Sequence, residues 1–307
     1  MDSNGRGEFG AIERLRRLLP APPDGQTWIG DDAAVVTADD GPMVLTADAV
    51  VAGVHADLSL VALDDLGWKA MAVSVSDLAA MGASPSHALV TVTGPANVDL
   101  DLLYRGIAEA AAIYASPVVG GDLTGGEQLV VSVFVTGTLG GAGPVLRSGA
   151  REDDLVYVTG PLGSSAAGLR LLQLGAVSDD HPCVVAHRRP RPRVAEGRVA
   201  RSAGATSLID VSDGLTADVG HVADASGVGV VVGHVPVADG ATLDEALGGG
   251  EDYELVFTAP ERSAIEAAFA EAGLRSPILI GRCTSDAGAL WLGDEPLPRT
   301  GWEHAWQ

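Results

Sequence analysis

A carboxylate on a helix face that is otherwise small or apolar constrains this chain more than any other feature. The stretch Ala72-Val-Ser-Val-Ser-Asp-Leu-Ala-Ala-Met-Gly-Ala-Ser-Pro85 closes a segment, residues 62–81, that reads as one helix. Asp64 and Asp65 open it, Gly82 follows its last turn, and Pro85 bars any continuation. At helical spacing Asp77 shares a face with Ala70, Val73, Ser74, Ala80 and Met81. An ionised carboxylate in such a place costs roughly 2–7 kcal/mol unless it is paired or bound to metal. The nearest base, Lys69, lies about two turns away and points elsewhere. Something positive must reach Asp77 from another part of the fold.

The remaining composition narrows what that partner can be. With 307 residues the chain can bury a good core, and two domains are expected. Aromatic residues make up only 4%, so Val, Ala and Leu build the core. The formal net charge of −22 argues against nucleic acid or an anionic membrane surface as partner. The first residues, Met1-Asp-Ser-Asn-Gly-Arg, have no apolar segment behind them, so no secretory signal is expected. Long uncharged runs such as residues 78–98 are broken by Gly, Pro, Ser and His, and none reads as membrane-spanning. Cys183 and Cys283 stand apart with no CxxC spacing, which fits a reduced cytoplasm. Lys69 is the only lysine; every other base of this kind is arginine.

Residues 8–19 form a short amphipathic helix, and a strand over 28–36 is interrupted by a turn carrying Asp31 and Asp32. A strand over 43–48 ends in Asp48, with Gly53 and His55 beyond it. Further strands are expected over 87–93 and 129–139, and a short strand from Pro117 gives way to a glycine turn that carries Asp122, with a helix over 101–114. Gly140-Gly-Ala-Gly-Pro144 is the linker candidate, which divides the chain into domains 1–140 and 141–307. In the second part helices are expected over 163–174, up to 202, after 214 and over 261–272. A Pro/Arg loop occupies 188–193, and strands cover 207–210, 228–232, 277–282 and 289–292. Neither half shows a long βαβ alternation, so an α+β fold in two domains is expected.

One arrangement recurs: Asp32, Asp48, Asp122 and Asp210 each stand at or just beyond an apolar strand, beside Gly, Ser or Thr. The ordinary reading of each, and of Asp213 before Gly214, is an Asx turn or a helix cap. Taken together with Asp77 they point to shared hard cations, and Mg²⁺ held by carboxylates implies a phosphorylated substrate. GxxxxGK[ST], GxGxxG opening a helix, HRD and DFG are all missing. A triphosphate would then be neutralised by metals and arginine with help from glycine amides, and Arg147 in Val145-Leu-Arg-Ser-Gly149 is the arginine of choice.

The motifs Gly30-Asp-Asp-Ala-Ala, Thr46-Ala-Asp48, Gly53-Val-His55, Val75-Ser-Asp-Leu-Ala-Ala-Met-Gly-Ala83, Gly120-Gly-Asp122, Leu146-Arg-Ser-Gly149, Ile209-Asp-Val-Ser-Asp-Gly-Leu215 and Gly249-Gly-Glu-Asp-Tyr-Glu-Leu255 occur in one order. In that order the chain resembles the thiamine-monophosphate kinases, from Glu8-Phe-Gly10 to Trp302. The resemblance implies ATP-dependent transfer of a γ-phosphoryl group onto thiamine phosphate, giving thiamine diphosphate. It also implies the two-domain fold of aminoimidazole ribonucleotide synthetase, with an N-terminal sheet that pairs into a barrel across a homodimer and a C-terminal domain that closes over the nucleotide. By motif, Asp32, Thr46, Ala47, Asp48, Asp77, Asp122, Asp210 and Asp213 are the implied sites for several Mg²⁺ ions, with Asp77, Asp122 and Asp210 as the catalytic set. Tyr104, Gly121, Asp122, Arg147 and Ser212 are the implied ATP contacts, and His55, Glu251 and Trp302 the thiamine phosphate contacts. Ala47 departs from the family pattern, which has a hydroxyl residue there, so a contact at 47 could only run through the main chain.

Donor and acceptor are both phosphates, so cations must screen their repulsion, and the attacking oxygen is ionised without a general base. No nucleophilic residue stands out for a phosphoenzyme, so direct in-line transfer is expected. Other ATP-using enzymes of the same fold are the nearest alternatives. Selenophosphate synthetase would need a reactive residue near the N-terminus, the hydrogenase maturation dehydratase a C-terminal cysteine where His304-Ala-Trp-Gln307 stands, and GGEDYEL speaks against the aminoimidazole enzyme. A non-catalytic acidic metal-binding protein would explain the charge but not the glycine turns beside the acids or Arg147.

Overall fold

A computed structural model describes residues 8–26, 28–29, 34, 36, 41–140, 143–175 and 177–302. The expected strand over 28–36 falls mostly outside these, and Asp32 with it. By its internal contacts the chain divides into two units, Met1–Leu78 with Pro85–Gly141, and Ala79–Ser84 with Ala142–Gln307.

The first unit carries α1 (Glu8–Leu18), β1 (Met43–Val51), α2 (Leu63–Ala80), β2 (Ser84–Gly94), α3 (Leu100–Ile113), β3 (Val118–Gly125) and β4 (Val130–Thr138). Its strands form one sheet in the order β1-β4-β2-β3, with β1 antiparallel to β4 and β2 parallel to β3. Alternation fixes the faces. Val44, Thr46, Asp48 and Val50 of β1 point inward, while Met43, Leu45, Ala47 and Ala49 point out. On β4, Val131, Val133 and Val135 are buried between exposed or half-buried neighbours. Helix α2 lies on the buried face, where the Ser74 hydroxyl donates to the Val133 carbonyl. The two central helices touch backbone to backbone. A Cβ on Gly106 of α3 would stand 1.7 Å from the Asp64 carbonyl oxygen, and one on Gly67 of α2 would stand 2.1 Å from that of Leu103. Lys69 is fully buried in this packing.

The expected barrel is not present. Among the described residues the sheet is open, with β1 and β3 as its two edges, and no pairing joins them. Four strands twisted by about 20–25° each do not curl far enough for the edges to meet, whereas small closed barrels use about eight.

The second unit carries β5 (Leu155–Val158), α4 (Ser164–Leu174), α5 (Pro182–Arg188), α6 (Val194–Ser202), β6 (Ser207–Asp210), α7 (Leu215–Ser226) and β7 (Gly229–Val232). It continues with α8 (Leu243–Gly248), β8 (Leu255–Ala259), α9 (Arg262–Glu271), β9 (Ile278–Thr284), β10 (Leu290–Leu292) and β11 (Glu295–Pro296). The sheet order is β11-β10-β7-β9-β5-β8-β6. The central strands β5, β6 and β8 are buried on both faces and so lack the alternation seen in β1. Val156, Val158, Ile209 and Val256 pack with Leu215, Val219 and Val222 of α7. On the other side Tyr157, Leu208 and Phe257 pack with Ala200 of α6 and Ile265 and Phe269 of α9. There the rings of Tyr157, Phe257 and Phe269 stack at 5.1 and 6.0 Å. Burial of each such ring contributes about 1.5–3 kcal/mol.

Sequence periodicity misses α5 and α8. The first is a short helix of about two turns with a proline at its start. The second is six residues held by a capping box between Thr242 and Glu245.

Candidate active site

In the first unit the inward face of β1 brings its acid to α2. The Thr46 hydroxyl donates to a carboxylate oxygen of Asp77, and Asp48, two residues on, shares that face of the strand. These are hard oxygen donors, and the set fits Mg²⁺ in its chemistry. Ala47 points to the opposite, exposed face. Neither Asp48 nor Asp122 is at a strand end. β1 continues through Val51, because Ala49, Val50 and Val51 still pair with Ser132, Val131 and Val130. β3 continues past Asp122 to Gly125 along β2.

Asp122 stands exposed on β3, where the Thr124 hydroxyl donates to it at 2.7 Å and Thr91 is its partner across the ladder. Two strands separate β3 from β1, so about 14 Å of sheet lies between their backbones. Among the described residues Asp48, Asp77 and Asp122 do not form a three-carboxylate cluster with ligand atoms within 4.8 Å of one another. Tyr104 on α3 is buried, and that burial, with the charge of Asp122 nearby, holds its phenol above the usual range. Gly121 precedes Asp122 with φ +158°, and a Cβ there would meet the Val90 carbonyl oxygen at 1.8 Å. His55 closes the turn after β1. Its Nδ1 accepts the Val51 amide at 3.0 Å, so the neutral ring carries its proton on Nε2.

The second unit draws three distant segments together. Asp210 is buried at the end of β6, opposite Leu255 of β8. The following turn, with Ser212 and Asp213, receives the Glu251 amide on the Ser212 carbonyl at 2.8 Å and the Trp302 amide on the Asp213 carbonyl at 3.2 Å. A Cβ on Gly250 would stand 2.4 Å from the Ser212 carbonyl oxygen, so the glycine lets the two loops touch. Arg147 is exposed next to Leu146, whose carbonyl accepts the Leu208 amide at 3.0 Å, two residues from Asp210. The Ser226 hydroxyl fixes that loop through the amides of Gly149 and Ala150.

Side chains that the sequence did not single out hold these segments. Asp218, in the first turn of α7, accepts the amides of Ser212, Asp213 and Gly214 on one oxygen at 3.1, 3.2 and 3.1 Å. Burial pushes it up to about 8, with Asp210 and Asp213 adding to the rise and the amides opposing it. Asp218 therefore takes the place that a cap by Asp213 would have filled. Asp252 does the same for α4, whose N-cap Gly163 offers no side chain. It accepts the Gly163 and Ser165 amides at 2.6 and 3.1 Å, and burial pushes it up to about 7. Glu254 takes Arg193 of the Pro/Arg loop at 2.9 and 2.5 Å and the Thr159 hydroxyl at 2.5 Å. In the same loop Glu251 and Tyr253 adopt left-handed φ values of 65° and 51°. His187 faces Glu251 at 3.6 Å and Ser165 at 3.1 Å. Among the described residues the one set of three metal-capable groups within 4.8 Å is Asp213, Asp218 and His221.

Comparison with known proteins meets this geometry at nearly full length. Residues 30–139 match the AIR synthase related protein N-terminal domain, and residues 151–291 its C-terminal domain. The thiamine-monophosphate kinase of Salmonella typhimurium is 37% identical over 97% of this chain and 98% of its own. The chain belongs to the thiamine-monophosphate kinase family. Its two-domain α+β fold is that of the AIR synthase related proteins. The crystal structure of the Stenotrophomonas maltophilia thiamine-monophosphate kinase superposes with a TM-score of 0.84, at 33% identity over 95% of this chain and 98% of the other. A structure described as AaThiL complexed with AMPPCP and TMP superposes with a TM-score of 0.78, at 31% identity over 99% of both chains. The family thus includes a protein that holds an ATP analogue together with TMP. Among the described residues no helix is long and apolar enough to cross a membrane.

Proposed function

We propose that this chain is an ATP-dependent kinase that phosphorylates thiamine phosphate to thiamine diphosphate. The observation that carries this reading is its kinship over nearly the whole chain with thiamine-monophosphate kinases, one of them described with an ATP analogue and TMP. The convergence of the 210–214 turn, the 249–255 loop and Trp302 supports it, since these are the motifs that the resemblance assigns to metal, nucleotide and substrate.

In the first unit Asp77, Asp48 and Thr46 are the proposed Mg²⁺ holders, with Ala47 restricted to its main chain and Asp32 outside the described residues. Asp122, with Gly121 and the neighbouring Tyr104, is the proposed nucleotide contact. In the second unit Asp210 and Asp213 take metal, and Ser212 and Arg147 meet phosphate. Bound Mg²⁺ would neutralise phosphate charge and orient the transferred group. Arg147 adds a charge that cannot be lost near neutral pH. His55, with its proton on Nε2, can donate to an oxygen of thiamine phosphate, and Glu251 can face the cationic ring of thiamine. No residue is needed as a base, because the attacking phosphate oxygen is already ionised, and transfer is direct and in line.

Residues 1–140 and 141–307 are proposed as working domains, each supplying its own share of these groups. A homodimer is supported by the outward side of the first sheet. There Leu45, Met43, Phe134 and Leu89 are 68, 50, 45 and 43% exposed, an apolar face of the kind that a second copy covers. The free thiols of Cys183 and Cys283 support a cytoplasmic location. The test is ADP release with thiamine phosphate, free thiamine and aminoimidazole-pathway substrates, with and without Mg²⁺. Release that requires both thiamine phosphate and Mg²⁺ supports the reading; release with another acceptor alone refutes it.

A further inference from the structure

A glycine turn that opens a helix can offer its amides to an anion from outside the protein. The turn at the head of α7 does not. Its three amides, from Ser212, Asp213 and Gly214, already converge on one oxygen of Asp218, a side chain that is 2% exposed. Gly214 sits at the N-cap with φ +124° and brings no side chain of its own. The carboxylate comes from within α7, one turn along, so turn and helix close on each other. With the amides directed inward at Asp218, the turn can meet a ligand only through its side chains and carbonyls.

We propose that Asp218 is a positioning residue for the metal–nucleotide site. It fills the amide nest that would otherwise cradle phosphate, and it fixes the backbone that carries Asp210, Ser212 and Asp213. In the second unit the nucleotide's charge is therefore met at this turn through cations on carboxylates, not through main-chain amides. The inference rests on the metal and nucleotide roles proposed above for those three residues.

The test compares wild type with Asp218→Asn and Asp218→Ala. Asn keeps an oxygen for the amides, and Ala removes it. Two quantities are read without turnover: hydrogen exchange of the 212–214 amides, and the Mg²⁺ concentration at which ADP binds half-maximally in calorimetry. In Asp218→Ala the amides are expected to exchange at least tenfold faster and the Mg²⁺ requirement to rise at least tenfold. In Asp218→Asn both should stay within about threefold of wild type. A folded Asp218→Ala protein with faster exchange and an unchanged Mg²⁺ requirement overturns the proposal. So does a tenfold shift in Asp218→Asn with the amides still protected, because charge and not grip would then be what matters. Should Asp218→Ala fail to fold, the Asn arm decides alone. Absence of thiamine phosphate turnover in wild type would count against the functional reading while leaving these binding results intact.

Discussion

The hydroxyl of Thr46 on β1 donates to the carboxylate of Asp77 on α2, and this bond joins strand and helix where the sequence demands a partner for a buried-face acid. A hydroxyl satisfies one of about four acceptor sites on a carboxylate. It orients Asp77 and leaves acceptor sites open for the proposed Mg²⁺. Asp48 on the same strand face adds a second carboxylate from the sheet.

Replacing Asp77 or Asp122 by Asn should lower turnover by about 100-fold or more without loss of fold, because ligand charge and not packing is removed. Circular dichroism and steady-state rates at saturating Mg²⁺ check this. Near-normal turnover in either variant would count against the assignment.

Thr46→Ala should be milder. It removes a hydroxyl that orients Asp77 and is itself a proposed Mg²⁺ holder, and the expected outcome is a Mg²⁺ requirement raised by about 10–100-fold, with a maximal rate that recovers at high Mg²⁺. A maximal rate that stays low at every Mg²⁺ concentration would show that the hydroxyl does more than help to hold the ion.

Glu254→Ala should destabilise the second unit by about 2–4 kcal/mol, since it removes the carboxylate that pairs both arms of the Arg193 guanidinium and accepts the Thr159 hydroxyl in a largely buried place. The lower part of that range allows for water at Arg193, whose side chain is 32% exposed. Denaturant unfolding measures the loss, and a change below about 0.5 kcal/mol, the ordinary size for a surface substitution, would show that Glu254 does not hold these segments.

Asp252 gives a pH signature. Burial raises it from 3.8 to about 7 in the folded chain, so between those values the folded form holds a proton that the unfolded form has released. Stability from this group is therefore present at low pH, falls as pH rises through that window, and levels above about 7. Asp252→Asn lacks this titration. The stability of wild type relative to the variant should decline from pH 5 to 7, and a flat difference would contradict the burial argument.

Much of this was legible in residue order. The helix ending before Pro85, the place of Asp77 on it and the motif order all appear in the sequence, because glycine, proline and helical spacing act locally. What was hidden depends on contacts across the chain. Asp218, Asp252 and Glu254 look like three more acids in an acidic protein, and only the fold shows that they hold the amides of two helix starts and one arginine. Asp48 and Asp122 were read as strand ends because the following residues, Ala49 and Leu123-Thr-Gly125, are weak strand signals, whereas ladder pairing carries the strands on. The barrel came from the resemblance alone, and the open order β1-β4-β2-β3 corrects it.

The proposed acceptor is the phosphate of thiamine phosphate. Incubation with Mg²⁺, thiamine phosphate and ATP labelled in its γ-phosphate tests this most directly, with ³¹P NMR and chromatography of the product. The label is expected in the terminal phosphate of thiamine diphosphate, equal in amount to the ADP formed and never found on the protein. Label retained on the protein with ATP alone, or ADP formed without thiamine diphosphate, would contradict it.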